Sequence, residues 1–114
     1  MIIKNLGDAP FADLRGYERV SKKIVIGPDD GSNEIVLRYF SLGPDGTTPH
    51  HSHDFPHLVK IEAGHGVVTD ESGLEHQLQK GDYVFISDNE VHHFTNTGTD
   101  PFDFICIVPR RGEV

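Results

Sequence analysis

The sequence of 114 residues contains one cysteine, Cys106, and no tryptophan. A lone thiol excludes an intrachain disulfide and fits a reducing compartment, so a cytoplasmic location is expected. Positive charge is scarce: Lys and Arg total 10 against 18 Asp and Glu, a formal net charge of −8. Binding to a phosphate backbone needs clustered Lys and Arg that release counterions, so nucleic acid is not an expected partner. Long apolar runs are also missing. Stretches such as Phe104–Val108 fall far short of the roughly 20 residues of a membrane helix, and no membrane partner is expected. The opening MIIKNLGDAP carries neither an extended apolar core nor a small-residue cleavage site, so nothing in it reads as an export signal.

What the chain does have is punctuation and alternation. Gly 12 and Pro 7 favour many short elements joined by turns. Between those turns the dominant hydrophobic period is two, the mark of half-buried strands. Val20, Lys22, Ile24 and Ile26 share one parity before the turn at Gly27–Gly31. Glu34 to Leu42 reads as a strand stopped by Gly43-Pro44-Asp45-Gly46. His57, Val59, Ile61 and Ala63 face one way and Leu58, Lys60 and Glu62 the other. Val67–Thr69, Leu74–Gln79, Tyr83–Ile86, His92–Asn96 and Phe102–Val108 complete the set. About eight to ten short strands at near-even spacing predict an all-β sandwich or small antiparallel barrel. No 10–15-residue amphipathic helix of a βαβ unit is present. The stretch Ala9–Arg19 has apolar spacing too weak to assign a helix. The polar tail Arg110–Val114 is expected to fray. No linker or composition shift divides the chain, so residues 1–114 read as a single domain.

Eight histidines stand at positions 50, 51, 53, 57, 65, 76, 92 and 93, four of them between His50 and His57. His51 and His53 leave an extended segment on the same face. His57 takes the inward parity of Val59 and Ile61, and His92 shares the parity of Phe94. Three imidazoles from one stretch and a fourth from a distant strand can converge inside a barrel on one ion. Neutral imidazole suits Zn, Fe, Cu, Ni and less readily Mn, and disfavours Ca and Mg. A histidine in a strand is more often an ordinary surface or satisfied core residue, and that reading suffices for His65 and His76. It suits His57 less well, because an inward ring without a polar partner is costly.

The segment Gly46-Thr-Thr-Pro-His50-His51-Ser-His53-Asp-Phe-Pro-His57 through Gly64 resembles the first motif of the cupin superfamily. His51 and His53 match its His-x-His pair, and Gly64 matches its closing glycine. Gly81, His92 and Asn96 match the second cupin motif at the correct total spacing. Three departures stand out. The first motif is one residue short between Gly46 and His51. Ser87 and Asn89 replace a proline and a glycine of the second. His57 stands where the family usually has a glutamate ligand, so the chain resembles small single-domain bacterial cupins with a four-histidine site. The ending Phe104-Ile-Cys106-Ile-Val-Pro109 is similar to that subgroup as well.

The resemblance implies an antiparallel double-stranded β-helix, the jelly-roll barrel of cupins, with one divalent metal on His51, His53, His57 and His92. Four neutral ligands leave a divalent ion at full charge, which strengthens its Lewis acidity and favours anionic ligands in open positions. Mn or Fe is the expected ion, with Zn, Ni or Cu as alternatives, and the expected chemistry is oxidation or oxygenation of a small organic molecule. A non-catalytic module that binds a metal or small ligand is the second reading. Phe94, Phe104 and Cys106 share the inward parity and are candidate pocket-lining residues. His93 points the other way, and Phe55-Pro56 lies where it could gate the mouth. A homodimer is the expected assembly, with the strand at Val20–Ile26 as its seam.

Overall fold

A computed structural model describes residues 1–12, 14 and 17–113 of the chain. The alternating segments form eight strands: β1 (Glu18–Ile26), β2 (Ile35–Thr47), β3 (His57–Ala63), β4 (His65–Thr69), β5 (Glu75–Gln79), β6 (Tyr83–Ile86), β7 (His93–Asn96) and β8 (Phe102–Pro109). All pairings are antiparallel, and the order across the curled sheet is β5-β4-β7-β2-β8-β3-β6, with β1 added beside β2. Among the described residues there is no α-helix, only single 3-10 turns at Leu6–Asp8, Pro28–Asp30 and Arg110–Gly112. Among the described residues, no helix is long and apolar enough to cross a membrane. The architecture is the all-β antiparallel barrel expected from the alternation.

Period two positions the core. Val36, Phe40 and Leu42 of β2 face Val108, Phe104 and Phe102 of β8 across the ladder, and Val59 and Ile61 of β3 close the far side. Phe102 and Phe104 are essentially sealed from solvent, each contributing about 1.5–3 kcal/mol by removing apolar area from water. Phe104 also stacks on Phe40, with centroids 5.2 Å apart. The opposite parity points outward and leaves Ile35 of β2, Leu58 of β3, and Tyr83 and Phe85 of β6 exposed.

Two expectations need correction. Gly43-Pro44-Asp45-Gly46 does not end the second strand: β2 runs on to Thr47, and the turn-forming residues make a bulge instead. Val20 pairs with Leu42 but Glu18 with Thr47, so β2 packs extra residues against β1 there. Asp45 supplies the left-handed kink at φ 64°, a conformation that Asp and Asn tolerate better than most residues. The tail does not fray either, as far as Glu113. Arg110–Gly112 forms a turn, and the Glu113 carboxylate accepts hydrogen bonds from Lys22 Nζ at 2.8 and 2.9 Å. Gly112 lies against the Phe55 ring, where an added Cβ would come within 2.7 Å. A largely buried ion pair and an aromatic contact outweigh the polar composition of this segment. Val114 lies outside the described residues, as do Asp13, Arg15 and Gly16 of the unassigned Ala9–Arg19 stretch, whose remaining residues contain no helix. Phe11 bridges to Lys23, and the Ala12 N–H donates to the Lys22 carbonyl. The middle of the outer edge of β1, the expected seam, is thus partly covered by the chain itself.

Candidate functional site

The approach to the site is built by two loops. His51 and His92 form an isolated antiparallel bridge, exchanging both backbone hydrogen bonds at 3.2 and 3.0 Å. That bridge latches the β2–β3 loop, which carries His51 and His53, to the residue immediately before β7. The Asn89 N–H donates to the His53 carbonyl and ties the same loop to the β6–β7 turn. Asn89 has φ 66°, so it adopts the left-handed conformation that explains a glycine at this motif position. Gly64 has φ 74°, and a Cβ there would fall 2.2 Å from the Pro101 carbonyl, which accounts for the closing glycine of the first motif.

The four imidazoles gather in one place. Ring centroids lie 4.2 Å apart for His51–His53, 5.0 Å for His57–His92, 5.2 Å for His53–His57 and 5.6 Å for His51–His92. The Nε2 atoms of His51 and His53 are 3.1 Å apart. His92 Nδ1 donates to the Glu90 carbonyl at 2.9 Å, which leaves its Nε2 as the unprotonated nitrogen. Phe55, expected at the mouth, is instead buried and stacked on His53 at 4.7 Å, fixing that ring. His57 and His92 are both 6% exposed. Burial disfavours the imidazolium form, reinforced by the neighbouring rings and, at His53 and His57, by Arg38. His57 is brought down to about 3 and His51 to about 4, and His53 and His92 move the same way. All four rings are therefore neutral at pH 7.

In kind and number these donors suit a transition-metal ion. Two nitrogens about 2.1 Å from one ion at roughly 90–110° stand about 3.0–3.4 Å apart, and the His51–His53 separation of 3.1 Å falls in that range. His57 Nδ1 is buried without any hydrogen-bond partner, an orphan that a ligand or a rotated ring would relieve. The set is gathered rather than closed: among the described residues, no group of three or more His, Cys, Asp or Glu stands in ion-holding geometry.

The rings open on a cavity of about 40 Å³, room for a few waters at roughly 10–15 Å³ each. Phe94, Phe104 and Cys106 line it. Tyr17, Arg38, Phe40 and Thr48 line it too, and sequence reasoning missed them. A signal for Arg38 was present: it shares the inward parity of Val36, Phe40 and Leu42. The remaining histidines lie elsewhere. His76 is exposed and pairs with Asp70 at 2.8 Å, and His65 is exposed on β4. His50 and His93 meet on the other side of the His51–His92 bridge, with their Nδ1 atoms 2.6 Å apart.

A barrel of this topology, with two histidine-bearing loops latched over one mouth, is a cupin, and the family comparison agrees. The Cupin domain model matches residues 38–108, and the chain belongs to that family. Among solved structures it is similar to the polyketide cyclase RemF from Streptomyces resistomycificus, at 24% identity and TM-score 0.90, covering 96% of this chain and 80% of that one. A predicted oxalate decarboxylase from Thermotoga maritima matches at 19% identity and TM-score 0.83, over 95% of this chain and 98% of that one. A cupin 2 conserved barrel domain protein from Rhodopseudomonas palustris matches at 28% identity and TM-score 0.71, over 94% and 68%. None of the curated proteins matches.

Proposed function

We propose that the chain holds one divalent transition-metal ion on His51, His53, His57 and His92 and acts as an enzyme that oxidises or oxygenates a small organic molecule. One observation carries the reading: four neutral imidazoles gather around one cavity, with a buried, unpartnered nitrogen among them. Bound there, an ion would supply Lewis acidity and, as Mn or Fe, a redox couple. The chain's own residues prepare the ground. Phe55 holds the His53 ring by stacking, and the Glu90 carbonyl fixes the tautomer of His92. Phe94 and Phe104 keep bulk water from the inner wall. The other titratable groups on the wall, Tyr17 and Cys106, are pushed up by burial and keep their protons at neutral pH. Outside the histidines, then, the described pocket residues offer no ready general base.

That lack of a base, with a cavity of only about 40 Å³, is what favours the second reading, a module that binds a metal or small ligand without turning it over. Metal analysis of untagged protein, followed by reconstitution to equal loading with Mn, Fe and Zn, separates the two. Turnover of phenols, alkenes or small acids with dioxygen or peroxide by the Mn or Fe form, but not the Zn form, supports the enzyme. Identical inactivity of all three leaves the binding module.

A further inference from the structure

Arg38 is 8% exposed, and a buried guanidinium is expensive unless an anion and hydrogen bonds compensate it. Its compensation is incomplete. Nη1 donates to Glu113 Oε1 at 3.2 Å, Nη2 to Cys106 Sγ at 3.0 Å, and Nε to the Cys106 carbonyl at a long 3.5 Å. A thiol sulfur is a weak acceptor, and of the five N–H groups of a guanidinium two have no partner among the described residues. Glu113 is shared as well, since Lys22 donates to both of its oxygens. Two buried cations thus lean on one carboxylate, and one positive charge is left over. The described pocket wall contains no Asp or Glu to offset it.

The guanidinium is also held in place. It sits over the Phe40 ring at 5.2 Å, and Arg38 lies directly opposite Cys106 in the β2–β8 register. Its charge reaches His53 and His57, where it helps disfavour the protonated rings. A fixed, under-compensated cation on the wall of a small cavity that also holds four neutral imidazoles is a site for an anion.

We infer that Arg38 makes this pocket a receptor for a small anionic oxygen group, a carboxylate or enolate, held between the guanidinium and the histidine cluster. This deepens the reading above and rests on the same pocket being where substrate binds. Charge-assisted hydrogen bonds from the two free N–H groups would orient the anion. Phe94 and Phe104 on the neighbouring wall select a compact, apolar body behind it.

Acetate, with neutral acetamide as its isostere, tests the inference on metal-free protein by calorimetry or saturation-transfer NMR. Acetate is expected to bind about tenfold or more tightly than acetamide, with Arg38→Gln removing that preference and Arg38→Lys restoring part of it. Glu113→Gln takes away the competing counter-ion, so acetate affinity should rise several-fold. A merely structural role for Arg38 predicts no such rise. Equal binding of acetate and acetamide, acetate affinity unaffected by Arg38→Gln, or an unchanged or lowered affinity in Glu113→Gln would each overturn the inference. If Arg38→Gln does not fold, the acetamide comparison and Glu113→Gln decide. No metal takes part in these measurements, so their failure is distinct from failure of the metal reading, which metal content in histidine variants tests.

Discussion

Acidification should destabilise the metal-free protein well before its carboxylates titrate. An unfolded chain protonates both His57 and His51 near pH 6.5, whereas the fold holds them down to about 3 and about 4. Between those limits the unfolded chain carries protons that the native rings refuse. Stability is therefore complete above about pH 6.5 and is lost as pH falls towards the folded values. At pH 5 the nearly buried His57 accounts for about 2 kcal/mol, from roughly 1.5 units at 1.36 kcal/mol each. His51 is more exposed, and with solvent screening it adds about 1 kcal/mol. A total near 3 kcal/mol corresponds to roughly 10–20 °C in Tm for a domain of this size. The assay is thermal unfolding by circular dichroism at pH 7.5, 6.5, 5.5 and 5.0, on wild type and His57→Gln. The variant should lose about 2 kcal/mol of the pH dependence at pH 5, the rest coming from His51, His53 and His92. A wild-type Tm that moves by less than about 3 °C across this range, or an unaltered slope in His57→Gln, would refute the burial argument.

His53→Ala should strip most of the bound metal while His76→Ala, altered on an exposed hairpin, leaves it unchanged; equal metal content in both by elemental analysis would sink the ligand assignment. Asn96 is 1% exposed, donates to the Leu42 and Asp100 carbonyls at 2.9 Å each and accepts from the Gly98 N–H at 2.8 Å. Asn96→Ala should therefore cost about 1–3 kcal/mol in denaturant unfolding by orphaning the buried Leu42 carbonyl and removing the part-buried bonds to the Asp100 carbonyl and the Gly98 N–H. At Gly64, an added Cβ 2.2 Å from the Pro101 carbonyl combines with φ 74°, so Gly64→Ala should yield little folded protein. Recovery of that variant at wild-type levels would count against the close approach of β3 and β8.

The barrel was legible because period two survives almost everywhere. His57 in line with Val59 and Ile61, and His92 in line with Phe94, face inward as their parity requires. It failed at Gly43–Gly46, since the residues that make a turn also make a bulge, and local sequence does not say whether pairing resumes afterwards. It failed again at the tail, whose Arg110, Arg111 and Glu113 look solvated until Lys22 and Arg38 are known to lie opposite Glu113. The pocket was half legible. The histidines announced themselves by clustering, and Phe94, Phe104 and Cys106 by parity. Arg38 carried the inward parity as well, but an inward cation becomes intelligible only through partners 68 and 75 positions away. Tyr17 reaches the pocket from the segment before β1, which carries no periodic signal.

The latch between His51 and His92 has a consequence for the order of assembly. His51, His53 and His57 lie within seven consecutive residues, so an unfolded chain already carries a flexible three-imidazole chelator. Only His92 must be delivered by tertiary structure, through the bridge that pairs it with His51. On the proposed metal reading, an ion would dock on the nascent loop first, and the rest of the barrel would then close around it. Because the unfolded chain competes for the ion, thermal protection by metal should fall short of what the native affinity alone would give.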